Sequence, residues 1–357
     1  MLAMNMRIQF VIYFLVFLLI YTSLNSYVVL RLGGLLGIGR NILYLWIAIV
    51  TLSLPAAVYA ERIFPNIFSR IFFTASTFWM GILLFMVCSL MIYEVIRPFY
   101  NIPYAGMIII IVVSVLSIIS VINATGIVVK EVEVPVENLK KNVTIAQLSD
   151  LHIGTIRNSA FLKRVVEKAN RLDPDIVMIT GDLIDASARI HDDMFNEFNR
   201  FRAPVYYVTG NHEVYEGVDE VYSILDNTNI RVLRNEIVDY DGLQIIGVEF
   251  SEDKDHLGKE LEKLKIDKTK PAVLMYHSPD GFEDAKQVGV DLQLAGHTHN
   301  GQIFPFNFFI KIFFKHIKGL YDLEGMFLYV SPGTGTWGPY MRLGSRNEIT
   351  LLKLVAK

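Results

Sequence analysis

The feature that most constrains this chain is a series of long apolar runs without a charged residue, at residues 8–30, 41–60, 71–93 and 105–124. Each run has about 20 residues or more, the length that a helix needs to cross the hydrocarbon core of a bilayer. A signal peptide followed by buried core helices would explain one such run but not four in succession. We therefore expect an all-α, four-span membrane domain over residues 1–125 and a second domain over residues 126–357.

The basic residues between these runs predict how the membrane domain is oriented. The larger group, expected on one side of the membrane, is Arg7, Arg62, Arg70, Lys130, Lys140 and Lys141. The smaller group, expected on the other side, is Arg31, Arg40 and Arg97. Because the side richer in Lys and Arg usually faces the cytoplasm, we expect a multi-pass protein of the cell membrane with its second domain in the cytoplasm.

The membrane domain offers few residues for chemistry. No run carries an acidic residue at mid-depth, so an ion path or proton relay has no candidate and a transport function is disfavoured. Cys88 is the only cysteine of the chain, so no intramolecular disulfide can form. The four helices are therefore expected to anchor the second domain.

The second domain is acidic. Residues 127–357 hold 27 Lys plus Arg against 34 Asp plus Glu, which gives a formal charge of −7. Binding to duplex DNA or RNA requires many basic side chains to neutralise the phosphates. A nucleic acid duplex is therefore not an expected partner.

Short apolar runs alternate with amphipathic stretches in this domain, a pattern that predicts an α/β fold. Buried strands are expected at residues 143–148, 175–180, 204–209, 271–276 and 291–294. Weaker strands are expected at residues 127–134, ending before Pro135, around residue 232, and at 243–248. Helices are expected at residues 158–172, 192–201 and 218–226.

Polar side chains of similar chemistry follow the five buried strands. These candidates are Asp150 and His152, Asp182, Asn211 and His212, His277, and His297 and His299. Open α/β sheets build their sites at the carboxyl ends of strands, so we expect these side chains to converge. Gly181, Gly210 and Gly296 accompany them and allow the backbone to turn tightly near a bound group.

This set of nitrogen and oxygen donors, without Cys or Lys, suits a transition metal. It favours manganese, iron or zinc over calcium or magnesium. The candidates outnumber the needs of one ion and suit two ions that share a bridging carboxylate. Such centres stabilise in-line attack at phosphorus. The sequence therefore predicts two divalent metal ions as cofactors and a phosphoester substrate.

The order of these motifs resembles that of the calcineurin-like metallophosphoesterase superfamily. The matching residues are D-x-H at 150–152, GD at 181–182, GNH at 210–212, the lone His277 and GHTH at 296–299. The chain also resembles the branch of this superfamily that has an N-terminal membrane segment. The shared features are GHTH-x-GQ, YVS-x-G, and a late Arg, here Arg342, before an E-I pair. The resemblance covers residues 127–357 and implies an αββα sandwich of two sheets with a dimetal site along one edge.

The resemblance also implies a role for each candidate. It divides six ligands between two metals, with Asp150, His152 and His299 on the first and Asn211, His277 and His297 on the second. Asp182 would bridge both metals, and His212 would be a catalytic residue that stabilises the transition state or protonates the leaving oxygen. Asn300 stands where this branch usually has Gly. Because Asn tolerates a left-handed backbone, the neighbouring ligands are not expected to move.

Two charged residues near these motifs each allow two interpretations. Glu213 either orients the imidazole of His212 or is an exposed surface carboxylate. Arg342 either contacts the substrate phosphate or pairs with Glu348.

A segment with six Phe, residues 303–314, also allows two interpretations. It is either a buried element of the sandwich or a lip beside the site that dips into the bilayer interface. In the second case Lys311, Lys315 and Lys318 would meet lipid headgroups.

The leading functional hypothesis is a membrane-bound, metal-dependent phosphoesterase that acts on a lipid-linked pyrophosphate or phosphodiester. One alternative is a phosphodiesterase or phosphatase that acts on soluble nucleotides. Another is a non-catalytic membrane receptor built on the same scaffold. Missing ligands would favour the receptor, and the motifs lack none.

Overall fold

The computed structural model of the protein describes residues 2–185 and 192–357. The chain divides into two compact units, one up to Ser120 and the other from Val121 to Lys357. Each unit is described by itself.

The first unit is helical. The helices are α1 (Leu2–Leu35), α2 (Arg40–Ile63), α3 (Ile67–Ile96) and α4 (Ala105–Thr125), whose last turn belongs to the second unit. Among the described residues, these four helices are long and apolar enough to cross a membrane, with mean hydropathies from 1.7 to 2.9. The predicted apolar runs are therefore confirmed as helices, each longer than its charge-free core.

Polar contacts inside this unit join its helices. The Nε1 of Trp79 donates to the buried Asn25 Oδ1 over 2.8 Å. Arg31 near the end of α1 pairs with Glu94 near the end of α3. The carboxyl ends of α1 and α3 therefore lie on the same side, as an alternating four-span arrangement requires.

The second unit contains two mixed sheets of six strands. The first has the order β1-β12-β2-β3-β4-β5, with β1 (Ile127–Val136), β2 (Val143–Leu148), β3 (Ile176–Thr180), β4 (Val205–Val208), β5 (Ile230–Val232) and β12 (Asn347–Ala356). The second has the order β10-β11-β9-β8-β7-β6, with β6 (Glu236–Tyr240), β7 (Leu243–Gly247), β8 (Ala272–Met275), β9 (Leu292–Ala295), β10 (Gly319–Asp322) and β11 (Phe327–Val330).

The strands at the centre of each sheet run parallel, as the apolar runs indicated. In the first sheet β2, β3, β4 and β5 are parallel neighbours, and in the second β7, β8, β9 and β11 are. All five predicted buried strands are confirmed, but β6, β10, β11 and β12 were not predicted. The prediction that the first strand ends before Pro135 is wrong, because β1 lies at a sheet edge, where a residue without an N–H is tolerated.

Helices cover the outer faces of the sheets and the edge that carries the site. They are α5 (Ser159–Arg171), α6 (Asn211–Glu216), α7 (Val218–Leu225), α8 (His256–Lys263), α9 (Phe282–Val288) and α10 (Phe306–Phe313). Two further segments, Asp192–Arg200 and His299–Gly301, are 3-10 helices. The predicted helix at residues 192–201 is thus of the tighter 3-10 type.

Alternation along the strands builds three apolar layers. Val177 and Ile179 pack with α5 and α7, whereas their neighbours Ile176 and Met178 pack between the two sheets. Successive side chains of a strand point to opposite faces, so one buried strand serves both layers. On the second sheet, Leu274 packs with α8 and α9. The result is the predicted αββα sandwich.

Candidate metal centre

Five strand ends bring the predicted residues together at one edge of the sandwich. In the first sheet, β2 leads to Asp150 and His152, β3 to Asp182, and β4 to Asn211 and His212. In the second sheet, β8 leads to His277, and β9 to His297 and His299. The strands within each set are parallel, so these ends share an edge. The predicted convergence is confirmed.

One group of candidate ligands consists of Asp150, His152 and His299. One ligand atom of each lies within 4.8 Å of the others. The Nε2 of His299 is 3.3 Å from Asp150 Oδ1 and 3.0 Å from the Nε2 of His152. All three residues are buried, so water has little access to these donor atoms.

A second group consists of Asp182, His277 and His297, again with ligand atoms within 4.8 Å of one another. The Nε2 of His277 is 3.2 Å from Asp182 Oδ2 and 3.2 Å from the Nδ1 of His297. The Nδ1 of His277 donates to the carbonyl of Thr180 over 2.7 Å, which leaves Nε2 free to bind a metal.

Asp182 connects the two groups. Its Oδ2 is also 3.9 Å from the Nε2 of His152, which belongs to the first group. The same carboxylate forms a third group of possible ligands with His152 and His212. A carboxylate within reach of both sets has the position that a bridging ligand needs.

The residues fit a pair of metal ions. The Oδ1 of Asn211 is buried without a hydrogen-bond partner among the described residues. Two pairs of ring nitrogens also face each other at about hydrogen-bond distance. Buried polar groups in proteins normally have partners, and a mixed set of imidazole, carboxylate and amide donors is suited to divalent transition metals.

The charges of the site support the same interpretation. Burial alone would raise the pKa of Asp182, but the imidazoles of His277 and His212 lower it well below its ordinary value. Burial lowers the pKa of His152 far below normal, and burial together with His277 lowers the pKa of His297 to about 4. Ionised carboxylates beside neutral imidazoles are the forms of these side chains that bind metal.

His277 differs from the other imidazoles. Burial lowers its pKa, but the charge of Asp182 and its hydrogen bond prevail and raise the pKa to about 9. A positive charge beside Asp182 is therefore strongly stabilised. A bound divalent cation would supply that charge and leave His277 neutral.

The backbone at the ligands has an unusual conformation. Asp150, His152, Asp182, His297 and His299 have φ angles of 52°, 48°, 49°, 68° and 49°. A left-handed backbone is uncommon outside Gly, costs of order 1–3 kcal/mol at a non-Gly residue and is concentrated at functional sites. Asn300 also has a φ of 52°, as expected from the tolerance of Asn for this conformation.

Two glycines allow the strand ends to approach closely. A Cβ at Gly181, whose φ is +87°, would lie 2.4 Å from the Nδ1 of His277. A Cβ at Gly296 would lie 2.3 Å from Asp150 Oδ2. Either contact is far below van der Waals distance, so a larger residue would displace a ligand. The prediction that these glycines allow close approach is confirmed.

Both interpretations of Glu213 are wrong. Its side chain is fully buried, so it is not a surface carboxylate. Its oxygens accept the backbone N–H groups of Asp182, Leu183, Ile184 and Gly210 over 2.6 to 3.1 Å. Glu213 therefore fixes the loops after β3 and β4 and does not orient the ring of His212.

The expected contact of Arg342 with the substrate phosphate stays a prediction, but Arg342 does not form the expected pair with Glu348. It is fully buried, and its guanidinium donates to the carbonyls of Gly333 and Gly335 and to Ser345 Oγ. One Nη2 lies 3.5 Å from the Nδ1 of His299. No ion pair joins it to Glu348 within the described residues, and Glu348 instead accepts a hydrogen bond from Tyr329 over 2.6 Å. Arg342 supports the loop behind the first group of ligands.

The sequence analysis did not single out Trp337. Its ring centroid is 6.1 Å from that of His212, and about half of its side chain is exposed. Its backbone exchanges hydrogen bonds of 2.8 and 2.9 Å with the side chain of Gln302. Gln302 ends the GHTH-x-GQ motif, so that motif contained the clue. Trp337 borders the site on the side of His212.

The Phe-rich segment is not a buried element. Residues 306–313 of this segment form α10, in which no residue is buried, whereas Ile303 before the helix is buried. The ring of Phe314 packs against that of His297 with centroids 5.2 Å apart. The segment therefore lies beside the candidate ligands with five of its six Phe side chains exposed.

This fold and this site together define a class of protein, the metallophosphoesterases. The sequence profile of the calcineurin-like phosphoesterases matches residues 143–301, which include all the candidate ligands and His212. An uncharacterized metallophosphoesterase of Aquifex aeolicus is 33% identical over 242 residues, which are 64% of this chain and 92% of that protein. The chain belongs to the calcineurin-like phosphoesterase family.

Other relatives are longer. An uncharacterized metallophosphoesterase of Campylobacter jejuni is 38% identical over 237 residues, covering 64% of this chain and 63% of that protein. A bovine transmembrane protein with a metallophosphoesterase domain is 36% identical over 255 residues, covering 64% of this chain and 57% of that protein. The matches therefore span less than two thirds of these two relatives.

Proposed function

We propose that this protein is a membrane-bound hydrolase that cleaves a phosphoester or pyrophosphate bond with the help of two divalent metal ions. The observation that carries this proposal is the position of Asp182, whose carboxylate is near His277 of one ligand group and His152 of the other. A single metal site would not need two ligand groups around one carboxylate.

The chain's own residues would divide the work as follows. Asp150, His152 and His299 hold one metal ion, and Asn211, His277 and His297 hold the other. Asp182 contacts both. When bound, such ions neutralise charge on the phosphoryl oxygens and lower the pKa of a water molecule. The left-handed backbone at five of these seven residues helps to keep the donors fixed before substrate arrives.

His212 is proposed to stabilise the transition state or to give a proton to the leaving oxygen. Its ring is edge-on to that of His152, with centroids 4.7 Å apart, and faces the half-exposed Trp337. Its backbone N–H donates to Asp182 Oδ1 over 3.0 Å, which fixes the residue beside the ligands. A proton donor is needed at this border between the ligands and solvent.

We infer that the substrate is amphiphilic or lipid-linked. Four helices suited to a membrane belong to the same chain, and the exposed apolar side chains of α10 border the ligands. A soluble nucleotide has no long apolar part that could bind to these exposed side chains. The excess of Lys and Arg on one side of the spans further supports a catalytic domain in the cytoplasm.

The full-length protein, purified in detergent, tests this proposal. With Mn²⁺ it is expected to hydrolyse bis(p-nitrophenyl) phosphate or p-nitrophenyl phosphate, and EDTA should abolish the reaction. A phospholipid in mixed micelles should be hydrolysed in preference to a nucleotide. Metal binding without hydrolysis of any phosphoester would instead favour a receptor on this scaffold.

A further inference from the structure

Helix α10 exposes more apolar surface than a soluble domain normally tolerates. The exposed fractions are 60% for Phe308, 74% for Ile312 and 64% for Phe313. Phe306 and Phe309 are also exposed by more than two fifths. Contiguous apolar patches on soluble proteins usually mark a binding surface. Something therefore covers this helix when the protein works.

The exposed rings contact one another in two rows, which together are called the apolar patch. The ring centroids of Phe306 and Phe309 are 5.2 Å apart, as are those of Phe309 and Phe313. Phe304 and Phe308 form the second row, with ring centroids 5.6 Å apart. These are contact distances between aromatic side chains, so the exposed rings are packed in two rows on and beside one short helix and are not scattered surface residues.

This patch is attached to the metal centre at both ends. At its start, a Cβ on Gly301 would lie 2.4 Å from Asn307 Cα, so the loop that carries His299 presses against α10. After its end, Phe314 packs on His297. Thr298 also donates to the carbonyl of Ile317 over 2.8 Å. Whatever α10 contacts is thereby brought beside the ligands.

The charged side chains of the segment that carries the patch are of one sign. Lys311, Lys315 and Lys318 are exposed, and residues 303–321 contain no acidic residue. This contrasts with the formal charge of −7 over residues 127–357. Exposed Phe flanked by Lys is the composition of a helix that lies in the interface of an anionic membrane.

The membrane-suited helices of the same chain keep a bilayer close to this domain. Helix α4 ends at Thr125 and β1 begins at Ile127, so one residue connects a membrane-suited helix to the catalytic sandwich. A bilayer is thus always within reach of the domain, whereas a soluble protein partner would have to be recruited.

We propose that α10 docks on the bilayer surface, with its Phe side chains in the interface and its Lys side chains at anionic headgroups. Docking places the metal centre at the depth of lipid headgroups. This inference deepens the proposed function. It rests on that function only for the substrate, which would be a phosphoester whose acyl or prenyl part stays in the membrane.

Site-directed labelling of the full-length protein tests the docking. Cys88 is replaced by Ala, and a cysteine carrying a polarity-sensitive fluorophore is introduced by Phe308→Cys. The control is Lys140→Cys, an exposed residue before β2 and therefore at the opposite end of that strand from Asp150. Both proteins are reconstituted into vesicles of phosphatidylcholine and phosphatidylglycerol.

The label at position 308 should emit at shorter wavelength than the label at position 140. Lipids with a spin label near the headgroup should quench the fluorescence of the label at position 308. Aqueous iodide should quench the label at position 308 less than the label at position 140. Equal access of iodide to both labels would overturn the proposal. Protection of the label at position 308 from iodide could instead depend on the protein-to-lipid ratio and be accompanied by energy transfer between labelled chains. That result would also overturn the proposal and indicate a second copy of the chain as the partner. These measurements need no turnover, so a failure of membrane docking can be distinguished from a failure of the proposed hydrolysis.

Discussion

The carboxylate of Glu213 accepts the backbone N–H of Asp182 over 3.0 Å, so the position of the proposed shared metal ligand is set by a neighbour outside the candidate ligand groups. Glu213 also accepts the N–H of Gly210, just before Asn211. One buried side chain thereby ties the loop after β3 to the loop after β4. The two loops supply three of the residues proposed to act in catalysis.

The first prediction follows from this contact. Glu213→Gln should lower the affinity for Mn²⁺ by about 10–100-fold, the usual effect of removing a residue that supports a metal ligand. The amide NH₂ would oppose N–H donors that the carboxylate accepted, so the free energy of unfolding should fall by about 1–3 kcal/mol. Calorimetric titration and thermal unfolding measure both. Glu220→Gln, at an exposed position of α7, is the matched control, and equal metal affinity in the two variants would contradict the role of Glu213.

The second prediction separates a catalytic His212 from a ligand His212. His212→Ala should retain both metal ions but lower turnover by about 10²-fold or more, the scale of a general acid or an electrostatic group. Metal content by mass spectrometry and turnover are measured on the same preparation. Because His212 lies within ligand distance of His152 and Asp182, a loss of metal that parallels the loss of turnover would make His212 a ligand.

Much of this arrangement could be predicted from the sequence, because it depends on local patterns. Buried parallel strands appear as short apolar runs, and residues at their carboxyl ends meet at one edge. Asp150, His277 and His299 were found in this way. The four N-terminal helices were equally clear, since length and hydropathy alone identify them.

Other features depend on contacts between distant parts of the chain. The composition of residues 303–314 suits a buried or an exposed helix, and only the packing of other elements decides which forms. Glu213 was recognisable as a charge on a helix, but its four N–H partners come from segments up to 31 residues away. Strands β6 and β10 were missed because they are half-exposed edge strands without a continuous apolar run.

The third prediction concerns topology. A reporter enzyme that is active only outside the cytoplasm should be inactive when fused after Lys357, because four spans return the chain to the side of Arg7. The same reporter fused after Tyr100, between α3 and α4, should be active and serves as the control. Strong activity of the Lys357 fusion would mean that the orientation is inverted or that one helix does not span.

The fourth prediction concerns α10. Replacing Phe308 and Phe309 by Ser should lower hydrolysis of a vesicle-borne phosphoester at least about tenfold more than hydrolysis of a small soluble ester. Even partial burial of two Phe side chains in a bilayer contributes more than the roughly 1.4 kcal/mol that a tenfold effect requires. Because both side chains are about half exposed or more, the melting temperature should change little. Lys140→Ser is the control, and an equal loss on both substrates would contradict a membrane role.

The most direct test of the central claim is the metal content of the full-length protein beside its Asp182→Asn variant. After loading with Mn²⁺ and removal of free metal, the wild-type chain should retain two ions and hydrolyse a phosphodiester. The variant should lose at least one ion and most of its turnover, while Asp255→Asn on the surface should behave like the wild type. A wild-type chain that binds a single ion, or an Asp182→Asn variant with unchanged turnover, would contradict a dimetal centre built around Asp182.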